Sequence, residues 1–400
     1  MTVAEAPVAK KVTKELVIHD DYRVDDYYWM NDREDPEVIS HLEKENVYYN
    51  TMTAHTKAFQ EVLFEEMKGR IKEDDSSVPY KENGYWYVTR YETGKQYPIY
   101  SRHKESLDAP EEIIFNCNEM AEGHDFFNLG GIGVSRDNKL AAFGVDTISR
   151  RQYTLQIKNL ETGEVLSDKI ENTTGGAVWA NDNKTMFYSK KDPVTLRSDK
   201  IYKHKLGTPA SEDELVFHEA DDTFGTFVYK SKSDKYIIVG SYSTLTSEYQ
   251  ILDANDPDGK FKVFSPRTRG LEYSISHYGD SFYVLTNKDD ATNFKLMQVK
   301  EGNTSAENWK EFIPHRGEVL LEGIEIFKDY YVLSERENGF YEAMFTGKAP
   351  DGTRVTSVVG GDLDPGYGST SRMITECALT LTRNVDRNAT PGGVYTPAAA

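Results

Sequence analysis

A short pattern recurs through the middle of the chain and constrains its fold more than any other feature. An apolar strand leads into a polar turn of Asn, Asp and Lys, and a second apolar strand follows, as in Gly176–Ser189. Asn and Asp suit such turns because they tolerate tight backbone geometry and hydrogen-bond to their own main chain. The copies carry an aspartate in the turn, and these aspartates are Asp137, Asp182, Asp234, Asp280 and Asp329. A looser sixth copy, Lys81–Val88, precedes them.

The turn aspartates are separated by 45, 52, 46 and 49 residues. A period near that length, with several strands in each period, is typical of a β-propeller, in which each small sheet covers a face of its neighbour. The alternative is a set of unrelated hairpins in a β-sandwich, which the regular spacing disfavours. The 26 Tyr and 18 Phe residues also suit half-buried pleated surfaces. The sequence therefore predicts a mainly β fold of the propeller type.

A helical extension is predicted before the repeats. Asp35 suits an N-cap and Pro36 the first helical position. Helical character continues to about Lys72, and apolar residues recur at spacings that indicate one apolar face: Ile39, Leu42, Tyr49, Phe59, Leu63 and Met67. Since a propeller does not need these helices, we expect this face to cover a rim or another domain.

The chain is predicted to divide into three parts. Residues 1–75 form the mostly helical extension, residues 76–350 form the propeller blades, and residues 351–400 form a last blade that is incomplete or degraded, or an aberrant tail. In this last part only Leu379–Leu381 resembles a strand.

Composition limits the partners and the compartment. A formal net charge of −19 argues against binding to nucleic acid, and it would favour cationic partners unless it merely solubilises the surface. The two cysteines, Cys117 and Cys377, fit no zinc, redox or disulfide pattern. No stretch resembles a signal peptide or a membrane span. We therefore expect a cytoplasmic protein without nucleic-acid or membrane partners.

The chain contains no strong catalytic motif. It has no Gly-x-Ser-x-Gly sequence, and the nearest stretch, Gly133–Asp137, lacks the closing glycine and lies on a repeat turn. It also lacks the His-Glu-x-x-His, phosphate-loop and dinucleotide-binding patterns. We therefore predict no catalytic, cofactor-binding or metal-binding residue and no cofactor, and whether the chain is an enzyme stays open.

Weaker candidates remain, each with a structural alternative that we favour. The histidines considered are His41, His55, His124, His277 and His315, and a satisfied or solvated side chain is expected for each. The pairs Asp25-Asp26 and Asp221-Asp222 could bind a cation, although neighbouring side chains of a strand point to opposite faces. Two runs, Asp146–Tyr153 and Arg267–Gly270, concentrate arginine. Their guanidinium groups could hold peptide carboxylates or acids of another domain, or form ion pairs between blades, which is the favoured interpretation.

Several stretches together resemble oligopeptidase B, within the prolyl oligopeptidase family of serine peptidases. The resemblance covers about residues 10 to 350. The stretches that carry it are Asp25–Met30, Asp32–Ile39, Phe64–Tyr80, Ala121–His124, Trp179–Tyr188, Ser247–Tyr249 and Glu272–Ser274.

This resemblance implies a seven-bladed propeller set over an α/β-hydrolase domain that is missing from this chain. It also implies that the missing hydrolase domain packs on residues 15–72. The family activity is hydrolysis of short peptides after Lys or Arg, with the propeller restricting access, so the implied partners are short cationic peptides. The family's nucleophile, catalytic Asp and His, and acids for the basic side chain follow the propeller. No position here matches them, and none is carried over.

Two hypotheses follow. In the first, the chain is the substrate-gating propeller portion of an oligopeptidase B-like peptidase and is inactive by itself. In the second, it is a non-catalytic propeller that binds peptides or a protein. Whether its shortness is biological or arises from a frameshift or gene-model error stays open, as do ring closure, peptide preference and oligomeric state.

Overall fold

A computed structural model describes residues 5–337, 340–348 and 354–360 of the chain. The chain divides into two compact units, and the boundary between the extension and the body lies at Lys72 and Glu73. The sequence-based limits 1–75, 76–350 and 351–400 stay a prediction.

The first unit contains a hairpin and two helices. Strands β1 (Lys14–Ile18) and β2 (Asp21–Asp25) pair antiparallel. Two 3-10 turns, Tyr28–Asn31 and Ala54–Thr56, flank the helix α1 (Pro36–Met52), and α2 (Lys57–Lys68) follows. The predicted start of the first helix is confirmed, because the Asp35 carboxylate accepts a hydrogen bond from the Glu37 amide at 2.8 Å and Pro36 begins the helix.

The apolar face predicted for these helices lies largely in solvent. On α1 the buried side chains are Val38 and Tyr48, neither of which is among the predicted residues. The predicted residues Ile39, Leu42, Phe59, Leu63 and Met67 are all between 38% and 62% exposed. The hydrophobic spacing thus predicted apolar residues that lie exposed on this unit. It did not predict the residues that are buried, Val38 and Tyr48.

The second unit is built from antiparallel β-sheets that we call blades, numbered along the chain. Blade 1 contains β3 (Tyr80–Glu82), β4 (Tyr85–Arg90), β5 (Ile99–Lys104) and β6 (Glu111–Asn116), and the short helix α3 (Cys117–Met120) follows it. Blade 4 contains β14 (Gly225–Lys230), β15 (Tyr236–Tyr242), β16 (Ser247–Asp253) and β17 (Lys262–Val263). Blade 5 contains β18 (Tyr273–Tyr278), β19 (Ser281–Thr286), β20 (Lys295–Lys300) and β21 (Lys310–Ile313). Blade 6 contains β22 (Val319–Ile326), β23 (Tyr331–Glu337), β24 (Phe340–Lys348) and β25 (Arg354–Gly360).

Blades 2 and 3 share one long strand. The strands of blade 2 are β7 (Asn128–Val134), β8 (Leu140–Asp146), β9 (Tyr153–Asn159) and the first half of β10 (Val165–Trp179). The second half of β10 begins blade 3, and β11 (Thr185–Lys191), β12 (Ser198–Lys205) and β13 (Glu214–His218) complete it. The pairing register of β10 shifts at Thr173 and Ala177, where its partner changes from β9 to β11.

Each predicted repeat copy is the hairpin between the first two strands of a blade. The turn residues Asn138 and Asn183 adopt φ of 64° and 56°, a left-handed conformation that Asn tolerates better than most residues. The Asp182 carboxylate accepts hydrogen bonds at 2.9 Å from the amides of Lys184 and Thr185. The pattern therefore marked real turns, and the propeller class is confirmed.

Each core lies between neighbouring blades. Met186 and Tyr188 of β11 pack in a cluster with blade 2, whereas Phe187 between them packs in a cluster with blade 4. Ile237 and Ile238 of β15 likewise face blades 3 and 5. Because the second strand of a blade is covered on both faces, its sequence is a continuous apolar run.

A buried polar cluster also joins blades 2 and 3. The His204 ring is fully buried, with Nδ1 at 2.6 Å from Asp213 Oδ1 and Nε2 at 3.0 Å from Asp168 Oδ1. Tyr188 donates its hydroxyl to the other Asp213 oxygen at 2.8 Å, and that bond and burial raise the Tyr188 pKa. His204 belongs to no motif recognisable in the sequence.

Part of the predicted C-terminal region falls outside the described residues. The seventh blade that the resemblance implies, Leu379–Leu381 and Cys377 belong to residues 361–400, which are not described. The strand β25 lies beyond residue 350, where the sequence predicts the propeller to end, and it pairs with β24 in blade 6. None of the described helices is long and apolar enough to cross a membrane.

Replacing His204 tests the buried cluster. We expect His204→Ala to lower the free energy of unfolding by about 3 kcal/mol or more, because it leaves two buried carboxylates without their shared partner. The matched control is His218→Ala, whose side chain is 48% exposed and 3.6 Å from Asp199, and which should cost less than about 1 kcal/mol. Equal urea midpoints for the two variants would contradict this prediction.

Candidate functional site

A cavity is lined by residues of blades 1 to 4, most of them on the first strands of these blades or in the turns that follow, with others on the later strands of blade 1. The first strands contact one another between blades 2 and 3, between blades 3 and 4 and between blades 5 and 6. The cavity has a volume of about 400 Å³ and is lined mainly by these strands and the turns that follow them. We call it the axial cavity, and the residues used below are Tyr80, Glu82, Tyr87, Gly131, Gly133, Arg136, Trp179, Lys230 and Asp234.

Glycine allows the inner strands of blades 2 and 3 to approach closely beside this cavity. A Cβ atom on Gly133 would lie 2.5 Å from the Ala177 carbonyl oxygen, and one on Gly131 would lie 2.6 Å from the Gly176 Cα. Gly131 also has a φ of 41°. Any side chain at these positions would push the two strands apart, so glycine fixes this wall of the cavity.

Aromatic rings form a second wall. Tyr80 and Tyr87 stack with centroids 5.2 Å apart, and the Trp179 indole donates a hydrogen bond to the Gly133 carbonyl at 2.8 Å. Burial raises the pKa of Tyr80, and it raises the pKa of Tyr87 to about 12 against the opposing effect of Arg102. Both tyrosines therefore stay uncharged at neutral pH and offer ring faces to a ligand.

Charged groups gather at the turn end of the cavity. Asp234 lies 3.2 Å from the Lys230 ammonium and 3.9 Å from the Arg136 Nε. Glu82 lies near the same group but forms no ion pair with any described residue. Burial raises the pKa of the Glu82 carboxyl, Asp234 raises it further, and Lys230 opposes them. Among the described residues, Glu82 is thus the acid of this cavity that forms no ion pair.

The turn of blade 4 reaches across the ring. Arg136 belongs to blade 2, so its contact with Asp234 passes over blade 3. Lys232 lies 2.7 Å from Glu325 of blade 6 and 3.7 Å from the centroid of the Phe327 ring, so that contact passes over blade 5. Contacts between blades that are not neighbours bring this turn over the axis, at the end of the cavity that carries Asp234.

A hydrogen-bonded chain holds the blade 4 turn against blade 5. Ser233 Oγ lies 2.7 Å from His277 Nδ1, and His277 Nε2 lies 2.6 Å from Glu301, which also accepts a hydrogen bond from Lys235 at 2.6 Å. Burial lowers the pKa of His277. Burial alone would raise the pKa of Glu301, but the hydrogen bonds from Lys235 and His277 outweigh it and lower that pKa. A neutral His277 that accepts from Ser233 and donates to Glu301 fits these contacts.

The other histidines considered from the sequence do not converge. His41 lies 3.6 Å from Glu45, and His55 Nδ1 lies 2.9 Å from the Met52 carbonyl. His315 accepts a hydrogen bond from the Asn293 amide at 3.2 Å, and His124 is exposed in a loop. None of these rings lines the axial cavity.

The paired acids are used locally. Asp25 accepts a hydrogen bond from the Tyr27 amide at 2.8 Å, and Asp26 accepts one from the Thr13 hydroxyl at 2.9 Å. Asp221 likewise accepts from the Thr223 amide at 3.0 Å. Within the described ranges, no group of three or more His, Cys, Asp or Glu side chains could hold a metal ion.

One arginine of the two runs forms an ion pair between blades. Arg267 of blade 4 lies 2.5 Å from Glu219 at the end of blade 3, and it also covers the Phe224 ring at 3.9 Å. Arg267 therefore forms an ion pair between blades with Glu219, and this confirms for Arg267 the interpretation favoured from the sequence. In the other run the buried Asp146 carboxylate organises its loop, accepting from the amides of Ile148 and Arg151 at 2.8 and 2.7 Å.

Sequence reasoning treated the repeat turns only as structural elements. It therefore missed that Glu82, Arg136, Lys230 and Asp234 meet at one place. A signal was present, because these charged residues lie at or near the ends of the inner strands of successive copies. If inner strands run in one direction around a ring, their ends converge at the same end of the axis.

Comparison with known proteins agrees with this architecture. Residues 7–349 match the family model described as "Prolyl oligopeptidase, N-terminal beta-propeller domain". The chain is 41% identical over 348 residues to "Dipeptidyl aminopeptidase BI" of Pseudoxanthomonas mexicana, covering 83% of this chain and 48% of that protein. It is 33% identical over 340 residues to "Protease 2" of Moraxella lacunata, covering 83% of this chain and 49% of that protein. The chain thus spans about half the length of the curated relatives that it matches.

A solved structure shows the same relation. Oligopeptidase B from Leishmania major superposes with a TM-score of 0.81 at 28% sequence identity, over 90% of this chain and 54% of that one. Oligopeptidase B from Trypanosoma brucei gives a TM-score of 0.79 at 28% identity, again over 90% and 54%.

Acidification tests the chain of hydrogen bonds at His277. Since the His277 pKa is lower in the folded protein, protonation favours unfolding, and the stability contributed by this residue is lost as the pH falls below 6.5. The lowered pKa of Glu301 acts in the same direction below about pH 4.5. We expect the urea midpoint of the wild-type chain to fall more steeply between pH 6.5 and about pH 5 than that of His277→Gln. The control His124→Gln should keep the wild-type slope, and equal slopes for wild type and His277→Gln would contradict the prediction.

Proposed function

The chain belongs to the prolyl oligopeptidase family, whose N-terminal β-propeller domain it carries, and on that premise we propose that it is the substrate-gating portion of a serine oligopeptidase. The enzyme would hydrolyse short peptides after Lys or Arg, with the hydrolytic step performed by an α/β-hydrolase domain beyond these 400 residues. The family match over residues 7–349 supports the gating role. The resemblance to oligopeptidase B and the net charge of −19 support cationic peptides as substrates.

The observation that carries this proposal is the exposed apolar surface of the helical extension. Phe59, Phe64 and Met67 of α2 are 62%, 55% and 59% exposed, and Ile39 and Leu42 of α1 are 44% and 52% exposed. Several large apolar side chains left exposed on one unit typically indicate a surface that binds another protein. In this proposal the hydrolase domain covers it, so the helices belong functionally to the catalytic half and hold the propeller beside it.

By itself the chain is expected to be inactive. Its sequence contains no Gly-x-Ser-x-Gly stretch, and the buried Ser135 hydroxyl donates a hydrogen bond to Asp137 at 2.6 Å within its own turn. Acyl transfer needs a nucleophile, a base and donors that stabilise the oxyanion, and the axial cavity offers no nucleophile next to a base. The part played by the propeller is therefore to select and admit the substrate.

A second candidate concerns the end of the peptide that is recognised. The relative at 41% identity is named a dipeptidyl aminopeptidase, and it is more similar in sequence than either oligopeptidase B structure, at 28%. This difference favours an enzyme that removes dipeptides from a free amino terminus. Blocking the amino group distinguishes the two activities, because an endopeptidase accepts a blocked peptide and a dipeptidyl aminopeptidase does not.

The first experiment restores a catalytic half. We would assay the pure chain, and a fusion of it with the catalytic half of the Pseudoxanthomonas mexicana relative, on short Arg peptides with free and acetylated amino termini. The chain alone should give no hydrolysis, and the fusion should cleave at least one of the two substrates. Saturable hydrolysis by the chain alone, with an active-site label on this polypeptide, would overturn the proposal. An inactive fusion that is folded would count against it as well.

Changing α2 tests the proposed surface. We expect Phe64→Glu to weaken binding of the separately added catalytic half at least tenfold, because it removes apolar burial and places a charge in the interface. The unfolding midpoint of the chain should stay nearly unchanged, since Phe64 is already exposed. Val194→Glu is the control, because Val194 is 86% exposed on blade 3. Titration calorimetry measures both affinities, and equal values would rule out α2 as the contact.

A further inference from the structure

We propose that the axial cavity binds the positively charged group of a peptide, a guanidinium or an ammonium, with Glu82 as its carboxylate partner. This site would be a second point of recognition, within the propeller and separate from the reacting bond. The inference rests on the proposed function in one respect, namely that peptides reach the propeller axis.

The argument begins with the charges of the cavity. Asp234 is close to two cations, Lys230 at 3.2 Å and Arg136 at 3.9 Å. Glu82 shares the cavity and forms no ion pair with any described residue. The Glu82 side chain is exposed to solvent within this lining, so its carboxylate is accessible to a cation that enters the cavity.

The rings beside Glu82 favour an organic cation. Tyr80 and Tyr87 stack on one another, and the Glu82 carboxylate is close enough to both hydroxyls to raise their pKa values further. Trp179 of blade 3 contributes a third ring to the lining. Ammonium and guanidinium groups bind to the faces of such rings, with Trp and Tyr as the best partners.

The placement of Asp234 strengthens the preference for a cation. Asp234 of blade 4 and Glu82 of blade 1 act on one another as like charges, which is one reason that the pKa of Glu82 is raised. A cation between them is attracted to both. An anion would be repelled by the Glu82 carboxylate. The nearby cations Lys230 and Arg136 already pair with Asp234. A volume of about 400 Å³ accommodates a side chain or the end of a short peptide.

Two sources could supply the charged group, a basic side chain or a free amino terminus. Three dye-labelled tetrapeptides separate them. The first carries Arg behind an acetylated amino terminus, the second has a free amino terminus and no basic residue, and the third is acetylated and neutral. The dye is attached at the carboxyl end in every case. Fluorescence anisotropy is measured while the wild-type 400-residue chain is added.

The charge of Glu82 is then removed without changing its shape. We expect at least one charged peptide to bind the wild-type chain, the neutral peptide to bind at least tenfold more weakly, and Glu82→Gln to lose about tenfold in affinity for the charged peptide. Glu161→Gln is the matched control, because Glu161 lies on an outer turn with a 61% exposed side chain. Equal unfolding midpoints would show that both variants fold.

The outcomes separate cleanly. Equal affinity of Glu82→Gln and wild type, equal binding of the neutral peptide, or no binding of either charged peptide would overturn this inference. Which charged peptide binds identifies the source of the cation. This experiment measures binding and no hydrolysis. The cavity can therefore fail to bind peptides while the fusion enzyme is active, and it can bind them while the fusion enzyme is inactive.

Discussion

The packing of each blade against its two neighbours is the constraint on which the propeller depends. The second strand of a blade has no polar face, since Phe187 points to blade 4 while Met186 and Tyr188 point to blade 2. A single blade would leave one of these faces in water. Stability therefore comes from a chain of nearest-neighbour interfaces, and each blade is stable only within the row. Buried polar contacts such as Asp168–His204–Asp213 lie within these interfaces and fix how one blade sits on the next.

The axial cavity is a consequence of that arrangement. Sheets that pack side by side around an axis bring their first strands together, and space remains where the strands meet. At Gly133 the approach is so close that a Cβ atom would lie 2.5 Å from a neighbouring carbonyl oxygen. Glu82 at the end of β3 and Asp234 in the blade 4 turn, far apart in the chain, then line the same cavity. The charged groups of the cavity come from different blades: Glu82 from blade 1, Arg136 from blade 2, and Lys230 and Asp234 from blade 4. No single blade therefore contains the whole group.

The helical extension and the propeller have different parts in the proposed function. In the proposed function the propeller would select the substrate, through a cavity lined by Tyr80, Tyr87 and Glu82. The extension would attach the propeller to the catalytic domain, through exposed apolar residues such as Phe59 and Phe64. A peptidase built from these parts would admit a substrate through one surface and act on it with another. The family match over residues 7–349 and the coverage of about half of each curated relative agree with that division.

The sequence by itself determined the local structure and the class of fold. Each turn depends on a few neighbouring residues, as at Asp182 and Asn183, and an N-cap depends on Asp35 and Pro36 alone, so these features could be predicted directly. The repeat period then gave the propeller. Only the tertiary structure decided that one strand, β10, serves two blades, and that His204 lies between Asp168, 36 residues earlier, and Asp213. Only it placed Glu82 near Asp234. The physical reason is that these contacts join residues from different parts of the ring, and no local pattern records which ends of the inner strands will meet.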